Sequence, residues 1–341
     1  MAAGPTGRFL VVNGVPLTGG VDVPPVSSLL ETTSGAYTTT RTHNRASSVL
    51  FLDRHLRRLA ESARILAESG HLRYAPAPSA SEIERSVRRS LRAGIPLAAR
   101  DRERAGRDDE IAITALVRGA DVYLHLRFYA PPVFPARGAR LVVAGKGREM
   151  PTAKYSDWAR VRKGMEKLRP PSATELLLSN DGDSILEGSV TNFFVVARKV
   201  INDFSDQASC DPAITHLYEV QTAPISDGVL PGIIRQVVIE ACTFMGIQLR
   251  EVAPSWSDRD LWVEAFVTSS LRLLQHVETI QAPISYEGMH LKTWKEVPWV
   301  TKRFEGAGVI TAQIQKEILL RAETHGYHLS NLILYSAPDH F

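Results

Sequence analysis

The stretch from Leu176 to Val195, LLLSNDGDSILEGSVTNFFV, constrains this chain more than any other segment. Apolar runs at residues 175–178 and 193–197, with Asn180-Asp181-Gly182 between them, predict a strand, a turn and a second strand through Ser184 to Leu186. Glu187 then falls where the strand pattern is interrupted, a position from which a polar side chain can be aimed into a cleft without breaking a core. A glutamate taken alone is usually a solvated loop residue. A buried acid in this setting needs a cationic partner.

Downstream, residues 222–239 read TAPISDGVLPGIIRQVVI: a strand, a turn, and a helix whose first turn follows Pro231-Gly232. Amides of the first helical turn have no partner within the helix, and the helix dipole adds positive potential there. The amides of Ile233 and Ile234 are therefore candidate donors to a phosphate. A plain helix start with proline near its first position is the simpler reading of the same residues.

The ordered set EGSVTNFF, VLPGIIR and FVTSSLRLLQHV (from Phe266) resembles the class IV aminotransferases, the fold type IV enzymes that use pyridoxal phosphate. Branched-chain aminotransferase, D-amino-acid aminotransferase and aminodeoxychorismate lyase are members. Upstream, SGAYTTTRTHN (residues 34–44), RHLRRLAESARIL (residues 54–66) and the opening FLVVNGVPL are similar to the family's first active-site strand, the helix after it and its first hairpin. The resemblance spans roughly residues 9 to 315.

It implies an α/β (α+β) protein of two domains with the cofactor in the crevice between them. The expected limits are 1–130 for a small N-terminal domain, 131–138 for a linker, 139–320 for a larger cofactor-binding domain and 321–341 for a tail. Pyridoxal phosphate chemistry requires a lysine that holds the cofactor aldehyde and moves the substrate's Cα proton. Lys146, Lys154, Lys163 and Lys167 precede the Glu187 block. Lys154, in PTAKYSDW and 33 positions before Glu187 (187 − 154), best matches the family context, with Lys163 second. An amine desolvated in an apolar pocket becomes a usable nucleophile and base near neutral pH.

On the same resemblance, Glu187 pairs with the pyridine nitrogen and favours the protonated, electron-accepting ring. The family's His-x-x-Arg-Leu motif reads His55-Leu56-Arg57-Arg58-Leu59, which makes Arg58 the phosphate-binding arginine, its forked donors suited to a dianion. Leu52, Leu56, Leu59, Ala63 and Leu66 mark one helical stripe, with Arg58 beside it and Arg54 and Arg57 towards solvent. Ser270, with Ser269 as neighbour, takes the place of the hydroxyl donor to the phosphate. Tyr37, Thr39 and Arg41 alternate on one face if SGAYTTTRT is a strand. The family points this face at the substrate, where Arg41 could hold a carboxylate; a cross-strand ion pair is the alternative use of Arg41.

The pattern departs from the family in two places. Arg118-Gly119 runs directly into Ala120-Asp121, without the longer loop that returns an arginine to the substrate carboxylate. Five positions after Lys154, where aminotransferases tend to carry tyrosine, stands Ala159, with Trp158 beside it. Residues 200–218 form a polar insertion. Three readings follow: an aminotransferase taking a small amino acid to its keto acid, a lyase of the aminodeoxychorismate type on the same site, or a non-catalytic protein that keeps the fold. Retention of Lys154, Glu187 and Arg58 together argues against the last.

Composition bounds the rest. A chain of 341 residues that is 44% hydrophobic can bury a full core as two domains. A net charge of +3 is too small to argue for nucleic acid. Two cysteines, Cys210 and Cys242, exclude a disulfide framework. No run is long and apolar enough to span a membrane, no histidine spacing suggests zinc, and few residues precede the first strand, so the cytoplasm is the expected location. The family implies a homodimer.

Overall fold

A computed structural model describes residues 7–17, 22–71, 77–199 and 217–331. Two compact units divide the chain: Met1–Pro131 with Thr152–Val161 and Leu320–Phe341 form the first, Pro132–Pro151 with Arg162–Leu319 the second. The segment around Lys154 thus clusters with the N-terminal unit, whereas the sequence suggested an unbroken C-terminal domain from residue 139 to 320.

The first unit is a mainly antiparallel sheet with helices against it. Its strands are β1 (Arg8–Val12), β2 (Val15–Pro16), β3 (Ala36–His43), β4 (Ser48–Val49), β5 (Glu110–Arg118), β6 (Asp121–Tyr129) and β16 (Tyr327–His328), in the order β16-β4-β3-β5-β6-β1-β2. Asn13 and Gly14, both with positive φ (52° and 84°), turn β1 into β2, the hairpin chemistry that Asn-Gly favours. β5 returns as β6 after Gly119 and Ala120 alone, with Arg118 opposite Asp121. That two-residue turn is where the sequence lacks the family's loop.

Helices α1 (Val26–Thr32), α2 (Leu52–Glu68) and α3 (Ala80–Arg104) belong to this unit, α2 packing on β3 and α3 on β6 and β1. The stripe Leu52, Leu56, Leu59, Ala63 and Leu66 on α2 is buried throughout. Each leucine so removed from water contributes about 2 kcal/mol. Arg57 is exposed, whereas Arg54 is half-buried against the Phe51 ring. A capping box between Ser79 and Glu82 starts α3.

Residues 154–156 attach to β3 as a short extra edge. Tyr37 N–H donates to the Lys154 carbonyl at 2.9 Å and Ser156 N–H to the Gly35 carbonyl at 3.0 Å. Ser156 Oγ accepts from Gly35 N–H at 2.9 Å and donates to the Thr33 carbonyl at 2.8 Å, and Lys154 N–H donates to Ser62 Oγ at 3.0 Å.

The second unit contains β7 (Ala139–Val143), β8 (Glu175–Ser179), β9 (Ile185–Gly188), β10 (Asn192–Arg198), β11 (Tyr218–Thr222), β12 (Leu249–Glu251), β13 (Trp262–Ser269), β14 (Leu273–Pro283) and β15 (Trp299–Arg303). They run β12-β11-β10-β13-β14-β7-β8-β9, with β15 on β14. β9 also meets β10 at Glu187 opposite Asn192, which closes β10, β13, β14, β7, β8 and β9 into a ring. Leu141, Val143, Leu177, Ile185, Phe193, Val195, Trp262, Val267 and Val277 belong to one buried apolar cluster of that ring. Helix α4 (Trp158–Met165) carries the chain into this unit, α5 (Ile233–Met245) packs on β13 and β12, and α6 (Val309–Thr324) follows β15.

The strand around Glu187 differs from expectation. It does not stop at Leu186 but continues to Gly188 through a register shift, with Leu178 opposite Glu187 and Ser179 opposite Ile185. Leu186 is the extra residue, and it packs with Ala223 and Val229 instead of with the Ile185 cluster. A bulge of this kind re-aims the next side chain. Glu187 consequently leaves the face of Ile185 and stands beside Asn192. Of the insertion, residues 200–216, Cys210 among them, lie outside the described residues, as does the tail from 332. Cys242 is buried and free on α5, and burial pushes its thiol up to about 12.

Candidate functional site

In the first unit, α2 and β3 bring three polar side chains together. Arg58 Nη2 donates to Thr38 Oγ1 at 3.0 Å, and Thr38 Oγ1 lies 2.7 Å from His55 Nδ1. The threonine hydroxyl thus joins the guanidinium to the imidazole: it accepts from Arg58 and shares one hydrogen with His55 Nδ1. His55 is fully buried, and its pKa is pushed well below the ordinary value by that burial and by the charges of Arg58 and Lys154. Among the described residues its Nε2 has no hydrogen-bond partner. The ammonium of Lys154 stands over the Tyr37 ring, 4.7 Å from its centroid. Lys163 lies on α4.

Tyr37, Thr39 and Arg41 do alternate along β3. Thr39 Oγ1 bonds to Thr114 Oγ1 across the strand pair at 3.0 Å. Arg41 is buried, donates from Nη1 to the Thr42 carbonyl at 2.9 Å, and has its pKa lowered by burial against the opposing fields of Glu110 and Tyr129. Ala159 packs with Tyr37, Leu30 and Leu116. No tyrosine follows Lys154 at that spacing, but Tyr155 is adjacent and bonds through its hydroxyl to Ser34 Oγ at 2.7 Å.

In the second unit, Glu187 is 1% exposed and has a cation that sequence reasoning missed: Arg148 Nε donates to its Oε1 at 2.6 Å. Oε2 accepts from Leu230 N–H at 3.2 Å and from Asn192 Nδ2 at 3.4 Å. Asn192 Nδ2 also donates to the Leu230 carbonyl at 2.9 Å. Leu230 leads into Pro231-Gly232 and α5, as the sequence predicted, with Gly232 as an N-cap that has no side-chain bond. The first intrahelical bond runs from Gln236 N–H to the Gly232 carbonyl at 3.1 Å, so the amides of Ile233 and Ile234 precede it. The start of α5 is thereby placed next to the carboxylate.

Thr268 pairs with Asn192 in register, which aligns Glu187, Asn192 and Thr268 across three neighbouring strands on one face. Its hydroxyl is buried and has no partner among the described residues. Ser269 ends β13 and Ser270 begins the turn to β14, where Arg272 N–H reaches back to Ser269 Oγ at 3.3 Å. A second buried acid holds that turn. Glu175 accepts from Arg272 Nη1 at 3.0 Å, from Val190 N–H at 2.8 Å and from Thr191 Oγ1 at 2.9 Å. Thr191 and Asn192 lie inside the EGSVTNFF block, and nothing in the sequence singled them out.

The class IV amino-transferase family model matches residues 35–280. The sequence has no match among curated proteins. Solved structures with the same fold include a putative branched-chain amino acid aminotransferase from Thermotoga maritima, at 17% identity, covering 94% of this chain and 96% of that one, TM-score 0.60. A hypothetical aminotransferase from Mycobacterium tuberculosis, in its PLP-bound form, is 16% identical over 93% and 99% of the two chains, TM-score 0.60. A fold IV transaminase from Curtobacterium pusillum is 16% identical over 94% and 99%, TM-score 0.62. With the family model over well more than half of its length, this chain belongs to the class IV aminotransferases.

Proposed function

We infer that the chain is a pyridoxal-phosphate-dependent aminotransferase that converts an amino acid to its keto acid. The observation that carries this reading is Glu187: a buried carboxylate fixed beside a helix start whose first amides no side chain caps. Such a pairing suits a ligand with a basic ring nitrogen at one end and a dianion at the other. The partnerless buried hydroxyl of Thr268 on the same face is a further polar group that such a ligand could satisfy. The PLP-bound state of a relative with this fold supports the same cofactor.

Bound pyridoxal phosphate supplies an electrophilic aldehyde and an electron-accepting ring. Each residue of the chain then has a task. Lys154 Nζ holds the cofactor and moves the proton at the substrate's Cα. Glu187 holds a proton on the ring nitrogen. Arg58, the amides of Ile233 and Ile234, and the hydroxyls of Ser269 and Ser270 hold the phosphate. Tyr37, Thr39 and Arg41 orient the substrate. A cytoplasmic homodimer, the usual state of the family, completes the proposal.

Adding pyridoxal phosphate to the purified protein, recording its visible absorption, reducing with borohydride and locating the adduct by mass tests this directly. A pyridoxyl adduct on Lys154, absent in Lys154→Ala, together with amino transfer from an amino acid to a keto acid, is the expected result. Loss of the adduct in wild type, or its appearance on Lys163, would sink the assignment.

A further inference from the structure

Asn192 takes no part in the tasks above, yet it is tied to both ends of the cofactor seat in the second unit. Its Nδ2 donates to the Leu230 carbonyl at 2.9 Å and lies 3.4 Å from Glu187 Oε2. Both partners are acceptors, so the amide's orientation follows from its surroundings. Leu230 N–H donates to the same Oε2 at 3.2 Å. Both polar groups of the Leu230 residue are thereby engaged, one by the glutamate and one by the asparagine. The Leu230 carbonyl also accepts from Gly232 N–H at 2.8 Å, which bends the chain into the first turn of α5.

Gly232 shows how closely the two are fitted. A Cβ at this position would stand 1.9 Å from Asn192 Oδ1, far inside contact distance, so any larger residue would displace the asparagine amide from its present place. The asparagine itself is placed by β10, with Glu187 opposite on one side and Thr268 on the other. Position 192 is 6% exposed, and its hydrogen bonds are not diluted by water.

We propose that Asn192 is a positioning residue that sets the span between the carboxylate for the ring nitrogen and the amides for the phosphate, so that one ligand engages both at once. This rests on the functional reading above. Two anchors held at a fitting separation bind a two-ended ligand more tightly than either anchor alone, because the second contact forms at high effective concentration. If the span loosens, the advantage of carrying both ends falls, while binding through one end persists.

The test compares the affinities of pyridoxal phosphate and of pyridoxal, which lacks the phosphate, for wild type, Asn192→Ala and Asn192→Ser, with urea midpoints as a check on folding. In Asn192→Ala the preference for the phosphorylated form should fall about tenfold, the worth of one or two hydrogen bonds, while pyridoxal affinity changes by less than about threefold. Asn192→Ser, which keeps a shorter donor, should lie between. A parallel loss for both ligands would mean general damage and would overturn the proposal, as would an unchanged preference. If the alanine variant does not fold, the serine variant decides by the same ratio. Absence of a borohydride-trapped adduct in wild type is a separate result: it removes the functional reading, and this proposal with it.

Discussion

Arg148 Nε and Glu187 Oε1 are 2.6 Å apart, with both side chains almost wholly withdrawn from water. Arg148 lies six positions before Lys154 (154 − 148), so one short segment supplies both a lysine for one unit and a counter-ion for the other. Removing one partner of a buried pair strands the other charge.

Arg148→Met should therefore destabilise the protein by about 3 kcal/mol, read from urea unfolding. Adding Glu187→Gln to it should recover a good part of that loss, because the stranded charge is gone. Additive effects in this double-mutant cycle would show that the two side chains do not depend on each other.

Gly188 follows the functional glutamate for a steric reason. A Cβ there would sit 2.1 Å from Thr191 Oγ1 and 2.5 Å from Glu175 Oε1, groups that bond to each other at 2.9 Å. Gly188→Ala should cost about 2 kcal/mol through that overlap. Thermal unfolding measures it, and a melting temperature equal to wild type would contradict the packing described.

His55 makes stability depend on pH. Its folded-state pKa lies well below the ordinary value of 6.5, so on acidification the unfolded chain takes up the proton first and the equilibrium moves towards unfolding. Stability should be level above about pH 7 and should fall as pH drops through 6.5 and below. In His55→Asn the part of this slope that belongs to position 55 should disappear. Equal slopes in the two proteins between pH 7 and 5 would assign the dependence to other histidines, of which His43, His125 and His276 are also lowered by burial.

Arg41 has two candidate uses, and kinetics separates them. As a holder of the substrate carboxylate, Arg41→Met raises KM for the amino acid with a smaller change in kcat. As a partner of Glu110, the same variant lowers stability and leaves KM in place. Its burial and its bond to the Thr42 carbonyl make a stability loss of about 1–3 kcal/mol the expected minimum.

Much of this was legible in the sequence because local rules carried it. The leucine stripe of α2, the Asn13-Gly14 turn, the short turn at Gly119-Ala120 and the start of α5 at Ile233 each follow from periodicity or from backbone chemistry within a few residues. Arg148 was not legible as the partner of Glu187. The two are 39 positions apart, and only the pairing of β9 with β8 and β10 brings the carboxylate to face that way. The interruption at Glu187 was legible, but not that the strand runs on to Gly188 with Leu186 as the inserted residue, because only the pairing with β8 defines which residue is extra. Asn192 drew no reading of its own from the sequence, since one of its two acceptors lies 38 positions away in the chain.

The attachment of residues 154–156 to β3 has a consequence for how the chain can be divided. Severing the backbone between Pro131 and Pro132 would not yield two self-sufficient pieces, because the N-terminal piece would lack both residues 152–161, which attach to β3, and β16, which pairs with β4. The C-terminal piece would carry those residues with their Tyr37 and Gly35 partners gone. Fragment complementation across this junction should therefore depend on strand-like annealing at Lys154, and the lysine would be ordered only when the pieces rejoin.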